Sequence, residues 1–185
     1  MKRVIALMLG IAIVLMFVGI YAQDSGKEFK YVGLKKCKMC HKSKKSGNQF
    51  GLWQERAHSK AYETLASEQS KQVAKEVGVT GDPQKAAECL ECHVTAYKAA
   101  AELKESTLTM EEGVSCEACH GPGSEYKSMK TMKALYAGEI KGETVGLIEP
   151  TNEVCVTCHN EKSPTYKEFV YEEAVKKIAH PVPEK

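Results

Sequence analysis

Aromatic residues are scarce in this chain, at 7% of 185 residues with a single tryptophan. No segment shows the strict apolar–polar alternation of a half-buried strand. Neither sign of charge dominates, with 26 Lys and Arg against 24 Asp and Glu. That balance excludes the strongly basic footprint of a nucleic-acid or anionic-membrane binder. Cysteine is absent outside one recurring five-residue pattern, so none remains for a disulfide framework or a lipid anchor.

That pattern carries the chemistry. It occurs four times, as Cys37-Lys38-Met39-Cys40-His41, Cys89-Leu90-Glu91-Cys92-His93, Cys116-Glu117-Ala118-Cys119-His120 and Cys155-Val156-Thr157-Cys158-His159. One helical turn separates the two thiols, so both can add to the two vinyl groups of one haem, and the next histidine meets the iron. A thioredoxin-like pair needs no following histidine, and zinc ribbons do not place one uniformly there. With histidine at about 3% of residues, four chance placements have odds of about one in a million. The sequence therefore reads as a c-type cytochrome with four covalently attached haem c groups.

The iron count sets the expected fold. About 40 residues serve each haem, too few to build a side-chain core, so the porphyrins become the core. The expectation is a mainly α, small multihaem cytochrome c, with short helices and long loops wrapped around four covalent haems and little or no β-sheet. At the N-terminus Lys2 and Arg3 precede an uncharged apolar run from Val4 to Ile20, followed by Tyr21 and Ala22. Residues 1–22 thus read as a signal peptide, with an uncleaved anchor as the alternative. Residues 23–185 read as a single tetrahaem domain exported to the periplasm. Cleavage after Ala22 leaves 24 basic and 24 acidic residues, and haem propionates then make the holoprotein acidic.

Along the chain, residues 24–36 read as extended and 42–47 as a basic loop. A helix is expected over about 49–67, with His58, Tyr62 and Leu65 on one face. A second helical piece covers 68–77 and stops at Gly78. Pro83 suits the first position of a helix carrying the second motif. Gly121, Pro122 and Gly123 break the chain after the third motif, and Ser124 suits the cap of a helix reaching Ala137. Residues 138–146 read as loop, and 165–179 as a helix ended by His180-Pro181.

Each motif histidine leaves a second axial position open. Two further histidines, His58 and His180, are candidate distal ligands for four such positions, so at least two irons use methionine, another ligand or nothing. Outside the N-terminal run the methionines are Met39, Met110, Met129 and Met132. Met39 lies inside its own motif and Met110 in a polar loop, while Met129 and Met132 share a helix face. Packing and ligation are both open for that pair.

Three segments, Tyr31 to Lys42, Trp53 to Tyr62 and Gly113 to Gly123, together with the tail Glu172 to His180, resemble the tetrahaem cytochrome c-554 family, whose members carry electrons from hydroxylamine oxidoreductase in ammonia-oxidising bacteria. The resemblance implies two stacked haem pairs. It further implies His58 on the fourth haem, His180 on the third, and an open face at the second. The family's distal histidine for the first haem follows the Gly-Pro-Gly turn, and this sequence has no histidine there. Met129 falls nearest the expected place, which implies His41/Met129 ligation and a raised potential for the first haem.

The function so implied is a periplasmic electron carrier between a redox enzyme and a downstream acceptor. Lys35, Lys36, Lys42, Lys44 and Lys45 offer a docking surface for an acidic redox partner, or else a solvated loop. Two alternatives stand beside it. One is binding or reduction of a small nitrogen oxide at the open second haem, with Glu88 or Glu91 as proton donors. The other is a membrane-anchored quinol dehydrogenase. A polymeric haem wire is disfavoured, since capping every iron twice takes eight histidines against the six present.

Overall fold

The structure, a computed structural model, describes residues 27–182. The expected N-terminal signal or anchor segment lies outside these residues. Among the described residues no helix is long and apolar enough to cross a membrane.

The described chain is helical and nearly strandless. Its α-helices are α1 (Leu34–His41), α2 (Gln49–Gln54), α3 (Ala61–Thr64), α4 (Glu68–Glu76), α5 (Ala87–His93), α6 (Cys116–His120), α7 (Met129–Ala137), α8 (Asn152–Cys155) and α9 (Tyr171–Ile178). Short 3-10 turns at Lys44–Ser46, Ala57–Lys60, Ala101–Leu103, Met110–Glu112 and Gly142–Val145 join them. The isolated β-bridge, parallel between Tyr31 and Lys104, is closed by Tyr31 N–H to Leu103 O and Glu105 N–H to Tyr31 O, both at 2.8 Å.

Each haem motif occupies the end of a helix. His41, His93 and His120 are the last residues of α1, α5 and α6. The fourth motif begins at the last residue of α8 and winds one more turn, with His159 N–H bonded to Cys155 O at 3.0 Å. A helix end suits this role because the next residues are free to leave the axis, so the imidazole is not crowded by a following turn.

Side-chain packing is sparse. Leu65, Leu90 and Val94 form a small buried cluster, with Tyr62, Cys89 and Tyr97 packed against it. The largest fully buried side chains are Glu117, Val32 and Pro83, so a carboxylate stands where a larger core would have an aromatic ring. Its partners explain the position. Glu117 Oε1 accepts from Val32 N–H (2.9 Å) and Gly123 N–H (2.6 Å), and Oε2 from Gly33 N–H (2.8 Å) and Val32 N–H (3.1 Å). Glu112 Oε2 accepts from Leu34 N–H at 2.8 Å, at the start of α1. Two carboxylates from the third-motif region therefore satisfy backbone donors leading into the first motif. Burial pushes both carboxyls above the usual carboxylate range, while their backbone donors pull the other way.

A second tie joins the second and third motifs. Thr95 Oγ1 donates to Gly113 O at 2.9 Å and accepts from Ser115 N–H at 2.7 Å, with both side chains buried. Gly33 sits at φ +80°, and a Cβ there would run into the Thr107 carbonyl, so glycine is what lets the chain pass between Glu117 and Thr107.

Several element boundaries differ from the sequence expectation. The helix expected over 49–67 is broken at Arg56, whose backbone is extended (φ −101°, ψ 157°). Ser59 Oγ donates to the Gln54 and Arg56 carbonyls, satisfying acceptors that a continuous helix would have used. Pro83 is a buried turn residue ahead of α5 rather than its first residue. Ser128, not Ser124, caps α7, its Oγ accepting from Thr131 N–H at 3.0 Å. Ser124 instead receives Lys30 N–H at 3.0 Å. The final helix starts at Tyr171 rather than 165, because Val170 is still extended.

Candidate haem sites

The two histidines outside the motifs each stand beside a motif histidine. The ring of His58 lies edge-on to that of His159, with centroids 5.9 Å apart and planes at 69°. The ring of His180 lies 5.8 Å from that of His120. Two imidazoles bound to one metal from opposite sides, each at about 2 Å, place their ring centres about 6 Å apart. Both pairs therefore have the spacing of imidazoles that share an iron. Burial holds His58, His120 and His180 below the usual histidine range, and the neighbouring ring adds to this for His58 and His120. A neutral imidazole keeps the lone pair that a metal needs.

Packing orients these rings. Phe169 stacks on His159 with centroids 4.8 Å apart and planes at 16°, so His159 lies between Phe169 and His58. His58 is carried on the 3-10 turn Ala57–Lys60, pinned by Val114 N–H to His58 O at 3.1 Å. Trp53 Nε1 donates to Val114 O at 2.9 Å, fixing the same strand of chain from the other side. Behind His120, Tyr126 donates to Gly121 O at 2.6 Å and to His120 O at 3.2 Å.

The remaining motif histidines are oriented through Nδ1. His93 Nδ1 donates to Ala61 O at 2.7 Å, which fixes its proton there and leaves the Nε2 lone pair free to bind a metal. His41 Nδ1 lies 3.2 Å from Gln49 Oε1 and is held in the same way. Among the described ring contacts neither His41 nor His93 meets a second imidazole. Met129 opens α7 with its side chain 63% exposed, and Met132, one turn on, is half-buried. The structure does not bring Met129 to His41.

The thiols fall into a chain of neighbours. The neighbouring Cys116 and burial push the Cys37 thiol up, while the neighbouring Cys37 holds the Cys116 thiol down. Burial pushes Cys119 up to about 11, with Cys155 and Cys158 nearby. Burial together with the adjacent Cys158 pushes Cys92 up to about 11. None of the eight is in a disulfide. Paired thiols, a motif imidazole and, in two cases, a facing imidazole fit a haem c donor set.

Residues 36–121, which hold the first three motifs, match the family model described as cytochrome c554 and c-prime. Cytochrome c-554 of Nitrosomonas europaea is 32% identical over 122 residues, 64% of this chain. The solved reduced state of cytochrome c554 from the same organism superposes with a TM-score of 0.53 at 28% identity, covering 82% of this chain and 79% of that one. Over these stretches the chain is similar to the cytochrome c-554 family in sequence and in fold. The sequence match to the Nitrosomonas europaea protein spans 49% of that relative's length, about half. These likenesses support a multihaem cytochrome with covalent haem c.

Several residues of the cytochrome c-554 fold seen here had no signal in the sequence. Gln49 and the Ala61 carbonyl, which orient two motif histidines, are of types that pass unnoticed in a helical stretch. Phe169 read as one apolar position of a helix face, and only the structure shows it stacked on His159.

Proposed function

We propose that the protein is an exported electron carrier with four haem c groups. It would take electrons from a redox enzyme of the hydroxylamine oxidoreductase kind and pass them to a downstream acceptor in the periplasm. The observation that supports this best is the contiguity of the motifs. Glu117 of the third motif binds the Val32 and Gly33 N–H groups leading into the first. Thr95 after the second motif takes Ser115 N–H before the third. His58, whose carbonyl accepts from Val114 N–H just before the third motif, faces His159 of the fourth. When bound, each haem iron supplies one reversible electron.

On this reading Cys37, Cys40, Cys89, Cys92, Cys116, Cys119, Cys155 and Cys158 hold the haems, and His41, His93, His120 and His159 bind the irons. His58 caps the fourth iron and His180 the third. Met129, exposed at the start of α7, is the candidate to complete the first. Lys35, Lys42, Lys44 and Lys45 are exposed around the first motif, Lys36 is half-buried beside them, and none of them joins an ion pair among the described residues. Such unpaired charge beside the first attachment site supports docking of an acidic partner.

The test is coulometric titration of purified holoprotein alongside its intact mass. Four electrons and four covalent haems per chain are expected, and three or fewer of either would sink the relay. Electron transfer to an acidic redox protein should slow as salt rises.

A second reading is favoured by one observation. Both spare histidines stand at other motifs, and among the described ring contacts His93 meets no second imidazole, which on this reading keeps its haem's second axial position for a small nitrogen oxide. Binding of nitric oxide to the reduced holoprotein at one haem per chain checks it. Glu91 is paired with Lys98 at 2.5 Å and is partly exposed, which weakens its candidacy as a proton donor. Finding Gln23 at the mature N-terminus would remove the anchored quinol dehydrogenase.

A further inference from the structure

Arginine is nearly absent from this chain. Arg3 and Arg56 are the two it has, against 24 lysines, and Arg56 alone lies in the described region. Its side chain is half-buried, and its Nε is fully buried with no hydrogen-bond partner. Among the described residues every ion pair of a carboxylate is made by a lysine, and Arg56 joins none. A buried guanidinium N–H without an acceptor is rare in folded proteins and calls for a partner. The position says where to look. Arg56 is the extended residue at which the 49–67 segment breaks, and His58 follows two residues later, its ring 5.9 Å from that of His159.

A planar fork of N–H donors matches a planar carboxylate, and haem carries two of these on its edge. Lysine would offer a point charge without that fork, which gives a reason for one arginine in a chain otherwise served by lysine. We propose that Arg56 binds a propionate carboxylate of the haem held between His58 and His159, and so acts as a positioning residue for that haem. This rests on the ligand pair assigned above. The guanidinium charge offsets the propionate charge, so losing it leaves an uncompensated anion beside the iron and disfavours the added electron.

The experiment compares wild-type, Arg56→Gln, Arg56→Lys and His58→Ala holoproteins by spectropotentiometry, electron paramagnetic resonance and resonance Raman spectroscopy. His58→Ala identifies the fourth haem, because one low-spin signal should be lost. In Arg56→Gln that haem should stay low-spin, its potential should fall and its propionate bending mode should shift. Arg56→Lys should recover part of the potential but not the mode. An unchanged potential and mode in Arg56→Gln would overturn the proposal and point to a water on Nε. Should Arg56→Gln fail to load haem, a propionate mode in Arg56→Lys identical to wild type would overturn it equally. If His58→Ala keeps every low-spin signal, the ligand pair itself is wrong, which is a different failure from that of the arginine.

Discussion

The carboxylate of Glu117 takes the backbone N–H of Val32 on both of its oxygens, at 2.9 and 3.1 Å, across 85 residues of chain. Glu117 is an internal residue of the third motif, and Val32 leads into the helix that carries the first. The contact therefore fixes one haem attachment site against another without a haem taking part. Gly33 and Gly123 N–H groups complete the set.

Replacing Glu117 tests this tie. Hydrogen bonds to a charged acceptor are worth about 1.5–3 kcal/mol each, and stranded buried donors add their desolvation cost. Glu117→Ala is expected to destabilise the holoprotein by about 4 kcal/mol, and Glu117→Gln, which keeps one acceptor oxygen, by about 2 kcal/mol. Chemical denaturation of haem-loaded variants measures both. A loss below about 0.5 kcal/mol for the alanine variant would show that the haems alone hold the two motifs together.

The same carboxylates set a pH dependence. Burial raises Glu117 and Glu112 in the folded protein above their unfolded values. The folded state then binds more protons than the unfolded state once pH exceeds the ordinary carboxylate value, so stability falls as pH rises from there to the raised folded values. Denaturation midpoints should decline over that window and level off above it. Glu112→Gln should flatten the decline, and a midpoint rising over the same range would contradict the burial argument.

For the two cross-chain histidine pairs, His58→Ala and His180→Ala should each convert one low-spin haem to high-spin while all four remain covalently attached. Electron paramagnetic resonance of the oxidised variants counts this directly. The double variant should show two additional high-spin haems. Retention of all low-spin signal in either single variant would reject that residue as a ligand.

The first haem gives a separate prediction. Thioether ligation to ferric haem produces a weak far-red charge-transfer band, and a raised potential accompanies it. Met129→Ala should abolish the band and lower that haem's potential, while Met132→Ala should leave both in place. The reverse pattern would move the ligand to the half-buried Met132, and absence of the band in wild type would leave His41 without a sulfur partner.

Much of this architecture is readable from spacing alone, because Cys-x-x-Cys-His is a local pattern dictated by one porphyrin. The helical character, the poverty of the core and the singling out of His58 and His180 all follow from counting motifs and histidines. Where the structure departs from the local pattern, a distant contact overrides a local preference. Ser124 and Ser128 are equally good caps on paper, but Ser124 is engaged by Lys30 N–H and Ser128 is free to cap. The helix expected over 49–67 has good apolar spacing, yet it breaks at Arg56 so that His58 can face His159. Glu117 left no trace at all, since a glutamate between two cysteines reads as a solvated side chain until its three backbone donors are seen.

The pairing of His58 with His159 also bears on how the protein is made. If the chain is exported as proposed, N-terminus first, His58 arrives long before His159, and His120 before His180. On that assignment the fourth haem finds its cap already in place, whereas the third, attached at Cys116 and Cys119, waits for the much later His180. If those ligands are as proposed, covalent attachment of the third haem precedes its axial ligation, and a product truncated before His180 would carry a high-spin third haem. The C-terminal segment is thus the step that closes the molecule chemically as well as structurally.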